Sequence, residues 1–271
     1  MVAIFNRYIG NILIARMIGP TGLAQYSIGT YAVPVLYEAR NSVSDAILPR
    51  MAKDSGGDTN SVSLALWYRS NALFAMMLVP VGVLLARYAE LFVVTLFSEN
   101  YLPAVVVFQV YLLAILSDTV DFGVALRLLG ITTTFVRGSI LGTAVNLGLL
   151  LTLLPRIGIT GAVIALVVTQ LVVFGYYAHR VARATRTRIA QAANLHVLLR
   201  VILAAIVPIP LLALPAHAGI MDLLTASVSA AVYVAAYVAL LHFFGSLEIK
   251  AVLHDCRRMI GSFQSRRSSS S

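Results

Sequence analysis

The chain has 271 residues, of which 59% are hydrophobic and 11% charged, with a mean hydropathy of +0.88. Soluble domains carry about 25% charged residues, so a water-soluble core of this size is excluded and the composition is that of an integral membrane protein. The net charge of +9 is explained by loop charges that set membrane orientation rather than by nucleic-acid binding, and the single cysteine, Cys256, excludes an intramolecular disulfide and a cysteine-based metal site.

A membrane-spanning helix needs about 20 apolar residues. Candidate spans run at 2–18, 22–48, 64–87, 103–129, 135–154, 159–179, 195–214 and 219–244. The first begins almost at Met1, with no basic stretch of the kind that opens a secretory signal. The spans at 22–48 and 103–129 are long enough to require tilt or a kink, and Pro34 is placed to kink the former. The run "LFVVTLF" at 91–97 is too short to cross and is expected to lie at the interface or cap the preceding helix. The tail ends in "SFQSRRSSSS", a low-complexity stretch. With both termini in the cytoplasm, 15 of the 20 basic residues fall on cytoplasmic ends. Three (Arg16, Arg87, Arg156) fall on outer ends, and Arg7 and Arg40 fall within spans. That asymmetry supports the orientation.

Charges and amides inside apolar spans are costly and point to partners or to a water-filled cavity. The first span holds Arg7, with Asn11 on the same face. In the second, Tyr31, Glu38, Asn41 and Asp45 follow one helical stripe. Arg40 lies roughly 200° round from Glu38 and faces another neighbour. Asp118 and Asp121 sit in the fourth span. These residues either line a polar cavity that admits a charged headgroup or form interhelical ion pairs, such as Arg7 with Glu38 or Asp45. Asp45 and Asp118 are also close enough to a membrane face to be hydrated.

Gly138, Gly142 and Asn146 occur at i, i+4 and i+8 of the fifth span. This is the small-residue spacing that lets membrane helices approach closely, with Asn146 bonding across the contact or facing the cavity. "LLPRIGITGA" then reads as a span ending at Pro155, a tight turn, and a new helix with a small face at Gly161, Ala165 and Thr169. The two spans are predicted to form a close-packed antiparallel hairpin. The five histidines are scattered and mostly at span ends, no metal site is expected, and no GxSxG, HExxH or P-loop signature occurs.

"NLGLLLTLLPRIGITGAVIALVVTQ" resembles the hairpin of bacterial Wzx-type O-antigen and exopolysaccharide flippases, in the multidrug/oligosaccharidyl-lipid/polysaccharide exporter superfamily. "FNRYIGNILIARMIGPTGLAQYSIGTYAVPVL" is similar to the start of that family's second lobe, with Asn6 where an acid is usual and Arg7 matching the family arginine. "AILPRMAK" and "LFSENYLPA" resemble its following helix exit and outer loop. The resemblance spans roughly residues 5–185 and the second lobe only, and the abrupt start at Met1 agrees with a missing first lobe. It implies an all-α bundle of about eight transmembrane helices. Residues 1–185 would form the six-helix lobe, 186–245 two additional helices and 246–271 a basic, Ser-rich cytoplasmic tail.

By the same resemblance the expected activity is flipping of polyprenyl-pyrophosphate-linked oligosaccharide across the bacterial inner membrane, for lipopolysaccharide or exopolysaccharide biosynthesis. No cofactor and no catalytic residue is implied. Membrane lipids and other polysaccharide assembly proteins would be partners, and nucleic acid would not. Arg7, Glu38, Arg40, Asn41, Asp45, Asp118, Asp121 and Asn146 are the expected substrate-binding residues. The guanidinium groups suit phosphate oxygens. The competing readings are a cation-coupled drug exporter of the same superfamily, a membrane polysaccharide polymerase or ligase, and a fragment that moves nothing.

Overall fold

The structure, a computed structural model, describes residues 2–31, 59–212 and 220–244, with side-chain surroundings for 10–31, 66–212 and 224–243. The described residues are predominantly helical, with no strand among them. Helical backbone satisfies its own hydrogen bonds, as hydrocarbon demands. Leu66–Arg87, Ala104–Leu128, Thr133–Thr185 and Leu224–Phe243 are long and apolar enough to cross a membrane, and Leu195–Leu211 is a shorter apolar stretch. The protein is an all-α membrane protein. Most of the expected span 22–48 lies outside the described residues, as does the tail from 245 onward.

The organising element is the 53-residue helical segment Thr133–Thr185, which folds back on itself at Ile157 (φ −130°, ψ 18°) and Gly158 (φ 61°, ψ −144°). Gly158 adopts a backbone conformation that a side chain would strain, and Pro155, which lacks an amide hydrogen, sits at the end of the first limb. The limbs run antiparallel and touch through their small residues. A methyl group at Gly138 would overlap the Tyr177 ring. One at Gly142 would stand 3.0 Å from Val173 Cγ2 and 3.7 Å from Thr169 Cγ2. One at Gly161 would stand 2.5 Å from the Leu153 carbonyl oxygen. The hairpin expected from the glycine spacing is therefore present, and its seam is the predicted stripe.

Helix Val2–Ile18 packs along this hairpin. Its Ile14 is fully buried with Leu150, Leu154, Ala162 and Ala165. The chain then turns at Gly19 (φ 93°) into Pro20–Gly29. This short helix lies against Ala104–Leu112, where Gly29 leaves room for Val107. The run at 91–97 belongs to a short helix, Ala89–Leu96, directly after Thr59–Arg87. Its Phe92 stacks on Phe108 with ring centres 5.1 Å apart.

A second packed group joins Leu66–Arg87 to helices Leu195–Ile206 and Ile220–Phe244. Tyrosines tie it together by their polar ends: Tyr237 donates to the Met76 carbonyl (2.9 Å), Tyr233 donates to the Ala205 carbonyl (2.9 Å), and Tyr88 and Ser229 share a 2.6 Å hydrogen bond.

The expected span 103–129 departs from a single tilted or kinked helix. It is broken into Ala104–Leu112, Ile115–Asp118 and Phe122–Leu128. Local side chains compete for its backbone: Ser117 donates to the Ala114 carbonyl (2.6 Å) and Thr119 to the Leu116 carbonyl (2.8 Å). Asp121 restarts the helix as its N-cap, accepting from the Val124 amide at 3.3 Å.

Candidate functional site

Non-helical backbone at membrane depth is tolerated where protein buries it or where it lines a cavity. The break between Asp118 and Phe122 does both. On one side it is clamped to helix Leu66–Arg87. Trp67, fully buried, donates its indole N–H to the Asp121 carbonyl (2.8 Å), and the Asp121 amide donates to Asn71 Oδ1 (3.0 Å). On the other side it walls a cleft of about 370 Å³ against the hairpin, within the range of about 300–1,000 Å³ usual for small-molecule sites.

The cleft is polar for a membrane protein. Ser117 and Asp118 enter from the broken segment, Ser139 and Thr143 from the first limb, and Gln170 and Tyr177 from the second. Ser117 reaches across to Gln170 Oε1 at 3.4 Å, while Thr143 bonds back to the Ser139 carbonyl at 2.9 Å. Its apolar wall is an aromatic group. Phe122 meets Phe174 edge-on at 5.1 Å, and Tyr177 meets Phe135 at 5.9 Å. Gly138 is what allows the Tyr177 ring to lie against the first limb.

Basic groups stand next to one end of this cleft. Arg137 and Arg180 lie one and three residues along the hairpin limbs from the lining residues Gly138 and Tyr177. Arg127 folds back to donate to the carbonyl of lining residue Gly123 at 3.0 Å. The Arg180 Nε is buried and has no hydrogen-bond partner among the described residues.

Of the expected site residues, Asp118 lines the cleft. Asp121 does not line it; its carboxylate caps the Phe122–Leu128 helix, accepting from the Val124 amide. Asn146 is 8% exposed and is not among the residues that line the cleft. Glu38, Arg40, Asn41 and Asp45 lie outside the described residues, and so does the side chain of Arg7. The sequence reading missed Ser117, Ser139, Thr143, Gln170 and Tyr177. One available signal was the seven-residue spacing of Gln170 and Tyr177, which puts both on one helical face. Among the described residues, no group of three or more His, Cys, Asp or Glu side chains gathers to hold a metal.

Residues 1–106 match the model of a family described as polysaccharide biosynthesis protein. The matched region covers the helices from Val2 to Leu96 and the start of Ala104–Leu112, and the cleft lies C-terminal to it. No curated protein matches the chain.

Proposed function

We propose that the chain takes part in polysaccharide biosynthesis as a membrane transporter, moving a polyprenyl-pyrophosphate-linked oligosaccharide from the cytoplasmic to the outer leaflet of the bacterial inner membrane. The observation that carries the proposal is the match of residues 1–106 to the polysaccharide biosynthesis family, in a chain made of membrane-crossing helices. The polar cleft and its arginines support it. A substrate with anionic phosphates and hydroxyl-rich sugars needs cationic and hydrogen-bonding groups within a hydrophobic protein. Transport is non-covalent, so the residues bind and release, and discontinuous helices are a common way to build such sites. The chain is therefore read as a transporter and not an enzyme, with no cofactor.

The test is disruption of the gene in its host. The expected result is loss of surface or secreted polysaccharide, with the lipid-linked glycan accumulating on the cytoplasmic leaflet. Accumulation of exported but unpolymerised units would instead identify a polymerase. Unchanged polysaccharide with heightened drug sensitivity would identify a drug exporter, and either result overturns the proposal.

A further inference from the structure

We propose that the cleft between Ser117–Gly123 and the hairpin is a subsite for one sugar ring of the transported glycan, a proposal that rests on the transport reading above. The first ground is unspent hydrogen-bonding capacity. No described residue hydrogen-bonds the Tyr177 hydroxyl, the Ser139 hydroxyl or the Gln170 amide nitrogen, and all three residues line the cleft. Polar groups left in an apolar surround cost free energy unless a ligand or water answers them.

The second ground is the chemistry of the walls. An acyl chain would leave every one of these groups unanswered, so the lining does not suit a lipid tail. A bare cation is held by several oxygens drawn in to about 2.3–2.6 Å, and a cleft of about 370 Å³ whose lining contains one carboxylate, Asp118, is too open for that. A sugar ring suits it. Its hydroxyls both donate and accept, matching Ser139, Gln170, Tyr177 and Asp118, while its C–H face can rest on the half-buried Phe174.

The third ground is position. The cleft is walled by the two bodies that Ser117 and Gln170 connect, the broken segment and the hairpin. A ring bound there bridges both, so its arrival can bias their separation. The arginines beside the cleft are then placed for the phosphates that follow the sugar.

The experiment is saturation-transfer NMR on the purified full chain in detergent. The probes are a panel of free hexoses, N-acetylhexosamines and 6-deoxyhexoses, with glucuronate as the acidic control. Saturation transfer to at least one neutral sugar of the panel is expected. Tyr177→Phe keeps the ring and its packing, and should weaken that sugar's binding about 2- to 10-fold, the range of one lost hydrogen bond, with thermal unfolding unchanged. Gln170→Leu should weaken it also. Absence of transfer to every neutral sugar overturns the proposal, as does binding that both variants leave unchanged. Gene disruption that spares polysaccharide export while sugar binding persists would sink the transport reading and leave the subsite standing. Export loss without sugar binding would do the reverse.

Discussion

Gly142→Leu is expected to destabilise the purified protein in detergent more than Leu150→Ala. Both sites lie on the first limb of the hairpin, two helical turns apart, and both are buried. Leu150 packs with Ile14 and Leu154, and shortening it opens a small void. In a water-soluble core that costs about 2–5 kcal/mol, part of which is transfer of apolar surface from water. Within a bilayer or micelle that part is largely missing, because lipid is as apolar as leucine. Gly142 is the opposite case. Even a methyl group there would press on Val173 at 3.0 Å. Three further carbons have nowhere to go unless the limbs part along the seam that also holds Gly138 and Thr169. Overpacking costs typically about 1–3 kcal/mol and sometimes more, and here it is imposed on a contact between helices rather than on one pocket. A loss is also expected for Gly161→Ala, whose added carbon would stand 2.5 Å from the Leu153 carbonyl oxygen. Thermal unfolding of the three variants decides the matter. A Gly142→Leu protein as stable as the parent would show that the limbs do not depend on close approach.

Export of lipid-linked glycan is expected to fail when Arg7 and Arg40 are replaced by alanine, at normal protein abundance. Both arginines fall within apolar stretches, and neither has an acidic residue three or four positions away, so a local helical ion pair does not account for them. The proposed role is contact with the pyrophosphate, through the paired donors of the guanidinium. Lysine separates this from an interhelical ion pair. It keeps the charge, so an ion pair should largely survive, but it cannot reproduce the planar fork and should impair export. The measurement is surface polysaccharide in cells carrying each variant in place of the parent gene, with protein level followed by blot. Normal export by both alanine variants would remove the arginines from the mechanism. Loss of the protein itself would assign them to folding.

The hairpin was legible in the sequence because its determinants are local. Gly138, Gly142 and Asn146 repeat every fourth residue, and Pro155 and Gly158 punctuate the turn. The broken segment at 104–128 was not legible, since hydropathy sees one continuous apolar run there. What breaks it is the bonding of Ser117, Thr119 and Asp121 to nearby backbone, held in place by Trp67 and Asn71, which are 54 and 50 residues from Asp121 in the chain. The cleft was hidden for a related reason. Serine, threonine and glutamine are unremarked singly in a membrane helix, and only the fold collects them from three segments around one cleft. Asp118 stood out because a carboxylate in an apolar run is expensive wherever it lies. Asp121 stood out on the same ground, yet its oxygen is occupied by the Val124 amide.

Trp67 is the chain's only tryptophan. It is fully buried, among Phe122, Ala125 and Ala182, with its N–H bonded to the Asp121 carbonyl at the point where the broken segment restarts. The protein thus contains its own optical gauge of that joint. Indole emission depends on the polarity around the ring, and here no second tryptophan dilutes the signal. If substrate draws the Phe122–Leu128 helix away from Leu66–Arg87, the ring is uncovered and its emission moves to longer wavelength. If the joint stays shut through transport, the colour of the fluorescence stays fixed, and motion must be sought elsewhere in the bundle.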